Sequence, residues 1–364
     1  MEYLVTGATG FIGRFVVEEL LKQPNAVVHA LVRKGSEHKL ERIRLDLGAS
    51  EKQLRILSGD LTQPYLGINP QDMVSLQGKI HHLYHLGAIY DLGADAETQK
   101  KANVDGTRHA LQAASSLGVE CFQHASSIAV AGTYPGRFTE TMFTEGTGFD
   151  NPYFLTKHLA EKCVRDEAEV PYRIYRPSMV VGHSETGEMD KIDGPYFIIR
   201  LMEEMKRHLP AWLPLVGVEC GKLNIVPVDF VAKAMVHIAH QPDLDSQVFS
   251  ITDHDYYSLG DVFDIISDVS GLPTFRWRLS SPLVDRLTRI LVPKLADNWL
   301  VKKAMKGMGI TPAALSFVTY NTTFDCSNTY NALQGSGIAP PKLKNYMPAL
   351  WQYWQNNLSP INHA

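Results

Sequence analysis

The chain has 364 residues, a fifth of them charged, and a formal net charge of −4 at pH 7. This length buries a large core and fits one elaborated domain or two, while the slightly negative balance offers no basic field for nucleic acid. Four cysteines, Cys121, Cys163, Cys220 and Cys326, stand far apart, without C-x-x-C pairs or histidines at zinc-finger spacing, and read as buried thiols of a reducing compartment. Met1-Glu2-Tyr3 passes at once into a strand with no basic n-region, and charges interrupt every apolar run short of the roughly 20 residues a membrane span needs. Cytoplasmic residence is expected.

Tyr3-Leu4-Val5-Thr6 reads as a short central parallel strand that leads into Gly7-Ala8-Thr9-Gly10-Phe11-Ile12-Gly13 and an amphipathic helix from Phe11 to Leu21. Strand, glycine turn and helix start together put backbone N–H groups where a pyrophosphate can sit. The spacing is G-x-x-G-x-x-G rather than the commoner G-x-G-x-x-G, and an ordinary strand-to-helix turn would look the same. The second strand, Ala26 to Val32, ends in Arg33-Lys34, where an NAD-specific site carries a carboxylate for the ribose 2′-hydroxyl. Basic residues there favour the 2′-phosphate of NADP, Arg33 by its planar fork and Lys34 or Lys39 as supporting charge. A helix over 38–47 precedes a third strand, Leu54 to Leu57, and Asp60. Asp60 either accepts from an adenine amino group or caps the turn before Leu61-Thr62.

A fourth strand, Leu83 to Leu86, opens into the small-residue turn Gly87-Ala88. His29, His81, His82 and His85 are not expected to hold a metal, because His81 and His82 project to opposite strand faces and no acidic ligand accompanies them at useful spacing. A long helix over 97–117 carries Asn103 and Thr107; Asn103 would order a water or bond a neighbouring loop. Cys121 to Ala125 is the fifth strand, with Ser126-Ser127 at the C-terminal end, the edge at which open parallel sheets bind ligands. The Gly- and Thr-rich stretch 131–150 reads as a surface loop, and Asp150 or Asn151 with Pro152 starts the next helix.

That helix opens with Tyr153 and carries Lys157 four residues on, on the same face. A phenol titrates near pH ~10, but an adjacent cation favours the phenolate, so the pair can act as general acid or base. Ser127 can then hold a substrate oxygen. Tyr172 to Pro177 is the sixth strand, continuing through Ser178 to Gly182. Alternating strands and helices imply right-handed crossovers and a doubly wound parallel sheet. Beyond Gly182 the alternation fails. A helix runs from Pro195 to about 208; Leu223 to Val226, a helix over 228–239 and a strand over 248–252 return to the sheet; short helices follow Ser258. Pro282 to Met308 carries Arg286, Arg289, Lys294, Lys302, Lys303 and Lys306 among apolar residues. It reads as a solvated basic face, a face toward an anionic membrane surface, or a grip for coenzyme A phosphates.

Gly7-x-x-Gly10-x-x-Gly13, Asp60, Asn103 to Thr107, Ser126-Ser127, Tyr153-x-x-x-Lys157 and Arg176-Pro177 together resemble an extended short-chain dehydrogenase/reductase. More narrowly, Tyr175 to Tyr196 and the end around Trp351 to Leu358 resemble the N-terminal module of bacterial two-module fatty acyl-CoA reductases, in which a second reductase module follows. The resemblance implies an α/β fold: a Rossmann-type, doubly wound NADP-binding domain over 1–182, rejoined by 223–252, with a smaller, mainly helical substrate-binding region over 183–222 and 253–364. It implies an NADPH-dependent reductase of long-chain fatty carbonyls, in the first place aldehyde to alcohol. The alternatives are thioester reduction on acyl-CoA or an acyl carrier, a sterol-type or 3-oxoacid reductase, and a non-catalytic NADP-binding module.

By the same resemblance Tyr153 would protonate the carbonyl oxygen, Lys157 would bond the nicotinamide ribose, Ser127 would donate to the same oxygen, and Asn103 would belong to a proton relay. Cofactor contacts are expected at Gly7, Thr9, Gly10, Phe11, Ile12, Gly13, Arg33, Lys34, Asp60, Leu61, His85, Gly87, Ala88, Asn103, Tyr153, Lys157, Pro177 and Val180. The expected partners are a long-chain aldehyde or acyl-CoA, a second reductase module and, peripherally, a membrane surface.

Overall fold

Near-continuous apolar strands such as Tyr3 to Val5 suit a parallel sheet covered on both faces, and the computed structural model contains one. It describes residues 1–89, 95–149, 151–190, 196–208, 215–218, 221–272, 275–279 and 321–359. The strands are β1 (Glu2–Thr6), β2 (Val27–Val32), β3 (Leu54–Ser58), β4 (Ile80–His85), β5 (Cys121–Ala125), β7 (Tyr172–Tyr175) and β11 (Val248–Phe249). Their spatial order is β11-β7-β5-β4-β1-β2-β3, and every neighbouring pair is parallel. The chain winds outward from β1 to β3 and then the other way from β4, so the connections diverge between β1 and β4. Such a switch point opens a crevice at the strands' C-terminal ends.

The crossovers are α1 (Phe11–Leu21), α2 (Glu37–Asp46), α3 (Pro70–Leu76), α4 (Ala96–Lys100), α5 (Gly106–Leu117) and α6 (Pro152–Glu167). α1 buries Gly13, Val16, Val17 and Leu20, the i, i+3, i+4, i+7 stripe of a helix lying on a sheet. On one face of the sheet Leu4, Leu83, Phe122 and Ile174 pack against Ala110, Leu111 and Ala114 of α5 and Val164 of α6. Each large apolar side chain fully buried there contributes roughly 1.5–3 kcal/mol.

The chain divides into two compact units. The first comprises Met1–Ser178, Phe230–Ile251 and Phe324–Ala339; the second comprises Met179–Asp229, Thr252–Thr323 and Pro340–Ala364. The boundary expected at 182 thus falls earlier. Backbone bonding beside β11 continues past β7 as far as Ser178, whose N–H donates to Ile251 O at 3.1 Å; from there β8 (Met179–Val181) pairs instead with β10 (Ile225–Pro227) in a separate two-stranded sheet of the second unit. Pro177 itself has no N–H to donate, and its carbonyl accepts from Ile128 N–H at 3.1 Å. For residues 223–252, only Phe230–Ile251 rejoins the first unit, through β11 beside β7.

Residues 324–339, read from the sequence as cap, also belong to the first unit. The buried Glu140 carboxylate, just after the two-residue strand β6 (Arg137–Phe138), accepts from Asn328 N–H at 2.6 Å, Ser250 N–H at 2.7 Å and the Thr329 hydroxyl at 3.2 Å. These charge-assisted bonds anchor the returning segment. In the second unit α7 (Tyr196–His208), β9 (Leu215–Val218), α8 (Val228–Ala239), which crosses the unit boundary, and α9 (Leu259–Ser270) precede β12 (Phe275–Leu279), which pairs in parallel with β9. The basic segment 282–308 lies outside the described residues. Among those described, no helix is long and apolar enough to cross a membrane.

Candidate active site

The glycine turn is dictated by close approach. Gly7 has φ +72°, and a Cβ there would lie 2.6 Å from Gly87 N; at Gly13 a Cβ would lie 2.0 Å from Gly7 O. Only glycine lets α1 and the turn after β4 close on the end of β1. Gly10 caps α1 without a side chain, its N–H bonded to Gly7 O at 2.9 Å. The first-turn amides of Phe11, Ile12 and Gly13 therefore stand at a positive helix end without a side-chain cap, an arrangement suited to a phosphate. Thr9 lies partly exposed in this turn and Ala88 is exposed beyond β4. Leu61 packs over Gly87, since a Cβ on Gly87 would come 2.6 Å from its side chain.

At the ends of β2 and β3 a groove of about 480 Å³ is lined by Arg33, Lys34, Ser36, Asp60, Gln63 and Asn69, among others. Asp60 Oδ1 accepts from Thr62 N–H at 2.8 Å and from the Thr62 hydroxyl at 2.9 Å, so the capping alternative describes that oxygen. The groove's wall includes a turn that sequence reasoning missed: Tyr65, Leu66 and Gly67 are consecutively left-handed, with φ 53°, 60° and 60°. Such geometry costs a non-glycine residue about 1–2 kcal/mol. Burial of Leu66 and the bond from Asp60 N–H to Leu66 O at 2.7 Å offset it. Gly67 is the only local signal.

α6 begins where Asn151 accepts from Tyr153 N–H at 2.8 Å, with Pro152 in the first turn; Asp150, the other residue expected there, lies outside the described residues. Tyr153, Lys157 and Glu161 then repeat every four residues along its buried face, 9%, 5% and 0% exposed. Lys157 Nζ donates to Ala125 O at the end of β5, at 2.7 Å. Burial pulls its pKa down to about 8, with Glu161 opposing the shift. Ser126 donates to Glu161 at 2.6 Å, so Ser127, partly exposed and accepting from Ala129 N–H at 3.1 Å, is the hydroxyl not committed to that carboxylate.

Glu161 was not singled out in the sequence, although its place one turn after Lys157 on the buried face was a usable signal. Arg176 grips it with two bonds, Nε at 3.1 Å and a terminal nitrogen at 2.6 Å, and Arg165 adds a contact at 2.9 Å. Burial alone would raise the Glu161 pKa, but Arg176, Arg165 and Ser126 together bring it down to about 2. Arg176 also donates to Met142 O at 2.9 Å. One ion cluster thus ties α6, the ends of β5 and β7 and the loop before α6.

The helix expected over 97–117 is interrupted: α4 and α5 are joined by a π-helical turn, Lys101–Asp105, that contains Asn103. Such bulges re-aim a side chain. Asn103 Oδ1 accepts from Ile89 N–H at 2.7 Å, while Nδ2 donates to Ile89 O and to Thr156 Oγ1, each at 3.2 Å. The bond to a neighbouring loop, one of its two expected uses, is thus present. The His85 ring, expected against the cofactor, is 2% exposed and bonded to Thr6 and Thr107; it lies beneath the site because both ring nitrogens face protein hydroxyls. Pro177 follows β7, its carbonyl bonded to Ile128 N–H, and Val180 lies on β8 in the second unit. His29 bonds Glu2 at 2.8 Å, and no group of three metal-ligating side chains occurs among the described residues.

The low Lys157 pKa has a measurable consequence. Because its folded value lies below the ordinary 10.5, the cost of burying the ammonium is fully present below about pH 8 and fades as pH rises toward 10.5. The expected result is that Lys157→Met removes a rise in stability across that window, seen as a flatter plot of melting temperature against pH.

Residues 5–235 match the family model described as male sterility protein. The chain is 29% identical over 291 residues to glycine betaine reductase ATRR of Emericella nidulans, covering 74% of this chain and 22% of that protein. It is 28% identical over 317 residues to aldehyde reductase lnbA of Aspergillus flavus, covering 78% and 30%. The chain therefore spans less than a third of the length of these relatives. Among solved structures, the terminal R domain from the myxalamid PKS-NRPS biosynthetic pathway superimposes with a TM-score of 0.77 at 24% identity, over 99% of this chain and 92% of that one. At that identity the likeness shows a shared fold.

Proposed function

This chain belongs to the male sterility protein family of NAD(P)-binding extended short-chain dehydrogenase/reductases, and from that premise we propose that it is an NADPH-dependent reductase of long-chain fatty carbonyls, taking an aldehyde to its alcohol. The observation that carries the reading is the buried face of α6, where Tyr153 and Lys157 stand one turn apart and Lys157 is bonded to the end of the strand that leads into Ser127.

The fit to a dinucleotide is supported by the glycine cradle that a Cβ would fill and by the groove with Arg33, Lys34 and Ser36. When bound, the nicotinamide supplies the hydride. The amides of residues 11–13 would hold the pyrophosphate, and Arg33 with Lys34 would hold the 2′-phosphate. The Tyr153 hydroxyl gives its proton to the carbonyl oxygen, and the Lys157 ammonium lowers the cost of the phenolate left behind. Ser127 donates to the same oxygen as charge develops there; one such donor is worth about 10²–10³ in rate.

A second reading, reduction of an acyl thioester, is favoured by the relative named for reduction of glycine betaine, a carboxylate rather than an aldehyde. NADPH consumption with a long-chain aldehyde and, in parallel, the matching acyl-CoA separates the two: turnover of the aldehyde alone supports the first, turnover of the thioester the second, and neither overturns both. For the cofactor, Arg33→Asp is expected to weaken NADPH binding by about 10–100-fold, the loss of a charge-assisted contact, and to leave NADH binding nearly unchanged. Equal losses would mean that the 2′-phosphate is read elsewhere.

A further inference from the structure

We infer that His85 is a positioning residue: a neutral imidazole, protonated on Nε2, that locks the glycine turn and the loop after β4 to the catalytic helix through one directed chain of buried hydrogen bonds. The inference rests on the reductase reading above for its kinetic consequences only.

The direction of the chain follows from its members. The Thr107 hydroxyl donates to Asn103 O at 2.6 Å, one helical turn back. Its oxygen can then only accept from the ring, and the contact to His85 Nε2 is 3.1 Å, so Nε2 carries the proton. Nδ1 is left as an acceptor, and Thr6 Oγ1, 2.9 Å away, donates to it. Thr6 Oγ1 in turn accepts Gly87 N–H at 3.2 Å. Every hydroxyl donates once, and the imidazole uses one nitrogen in each sense.

The two ends of the chain reach the two halves of the site. Thr6 immediately precedes Gly7, whose approach to Gly87 leaves no room for a methyl group. At the other end Asn103 bonds Ile89 and Thr156, and Thr156 Oγ1 donates to the Tyr153 carbonyl at 3.2 Å. Seven residues from Gly87 through Thr6, His85, Thr107, Asn103 and Thr156 to Tyr153 are therefore joined without a break. Imidazole suits the middle of such a chain because it presents a donor and an acceptor from one rigid ring.

A packing role alone would need none of this. The ring also stacks on Phe122, with centroids 5.9 Å apart, and on His124 at 5.7 Å. Both nitrogens of His124 are buried without a hydrogen-bond partner, so the directed bonds at this point belong to His85. Burial, assisted by the Lys157 charge, holds the His85 pKa at about 3, in keeping with a ring that stays neutral while accepting on Nδ1.

The test uses the full chain and three variants: His85→Phe, which keeps the stack and removes both bonds; Thr107→Val, which is isosteric and cuts only the helix side; and the double variant. Nitrogen NMR of the wild type is expected to show one histidine protonated on Nε2 alone and not titrating between about pH 5 and 9, a signal absent from His85→Phe. Thr107→Val is expected to lower kcat for the carbonyl substrate by up to about 100-fold, the cost of a misplaced reacting group, with NADPH affinity retained because the Thr6 side is intact. His85→Phe is expected to lower kcat and weaken NADPH binding by about 10-fold, and the double variant to be no worse than His85→Phe.

A ring protonated on Nδ1 or titrating in that range, a Thr107→Val enzyme with wild-type kcat, or additive losses would each overturn the inference. If His85→Phe does not fold, Thr107→Val and the wild-type spectrum decide. If the wild type reduces no carbonyl at all, the functional reading fails, while the tautomer and the NADPH affinities still judge His85.

Discussion

Replacing Tyr153 with Phe lowers carbonyl reduction by at least about 100-fold and leaves NADPH binding in place. Only one oxygen is removed, from a side chain already 9% exposed, and the cap is a bond from Tyr153 backbone N–H to the Asn151 side-chain oxygen that the change does not touch. The fold of α6 is therefore retained, and the loss falls on proton delivery alone. General acid catalysis contributes typically about 10²–10⁴ in rate, and the residual activity reflects Ser127 and binding. Steady-state NADPH oxidation measures the rate and NADPH fluorescence measures the binding. A variant that works at near wild-type rate shows that the proton comes from elsewhere.

The largest effect on stability is expected at Arg176. Arg176→Met leaves Glu161, 0% exposed, with Arg165 and Ser126 as its partners among the described residues. Breaking a buried ion pair by removing one partner costs about 3–5 kcal/mol, because the remaining charge stays desolvated; the contact to Arg165 places the expected loss near the lower end. Arg176→Met combined with Glu161→Gln neutralises both members and should recover much of the loss, which separates the ion pair from simple packing. Equilibrium urea unfolding reads the difference.

The sign with pH is defined as well. The folded Glu161 pKa of about 2 lies below the ordinary 4.5, so its stabilisation is fully present above 4.5 and is lost as pH falls through about 2. Arg176→Met should therefore narrow its gap to the wild type as the medium is acidified through that window. A gap that stays constant would mean that the carboxylate is not what Arg176 stabilises.

Local chemistry was legible in the chain. Gly7 and Gly13 announce a backbone approach that no side chain survives, Asn151-Pro152 announces a helix start, and the four-residue step from Tyr153 to Lys157 puts two functional groups on one face whatever surrounds them. Alternating strand and helix patterns likewise imply a parallel sheet, because consecutive parallel strands require a crossover.

What the chain alone left open is which distant groups meet. Glu161 looks like any helical glutamate until β7 brings Arg176 against it. Residues 179–181 read as the continuation of one strand until they prove to pair with 225–227 in another sheet. Asn103 sits in a pattern of one unbroken helix, and the bulge that turns it toward Ile89 and Thr156 has no local signature. Residues 324–339 return to the first unit because Glu140 needs donors for a buried carboxylate. Periodicity records which face of an element is buried, whereas the partner of a buried polar group is set by long-range packing. The glycine turn and the Tyr-Lys turn were therefore determined by sequence, and the ion cluster and the His85 chain that hold them in place were decided only by the tertiary fold.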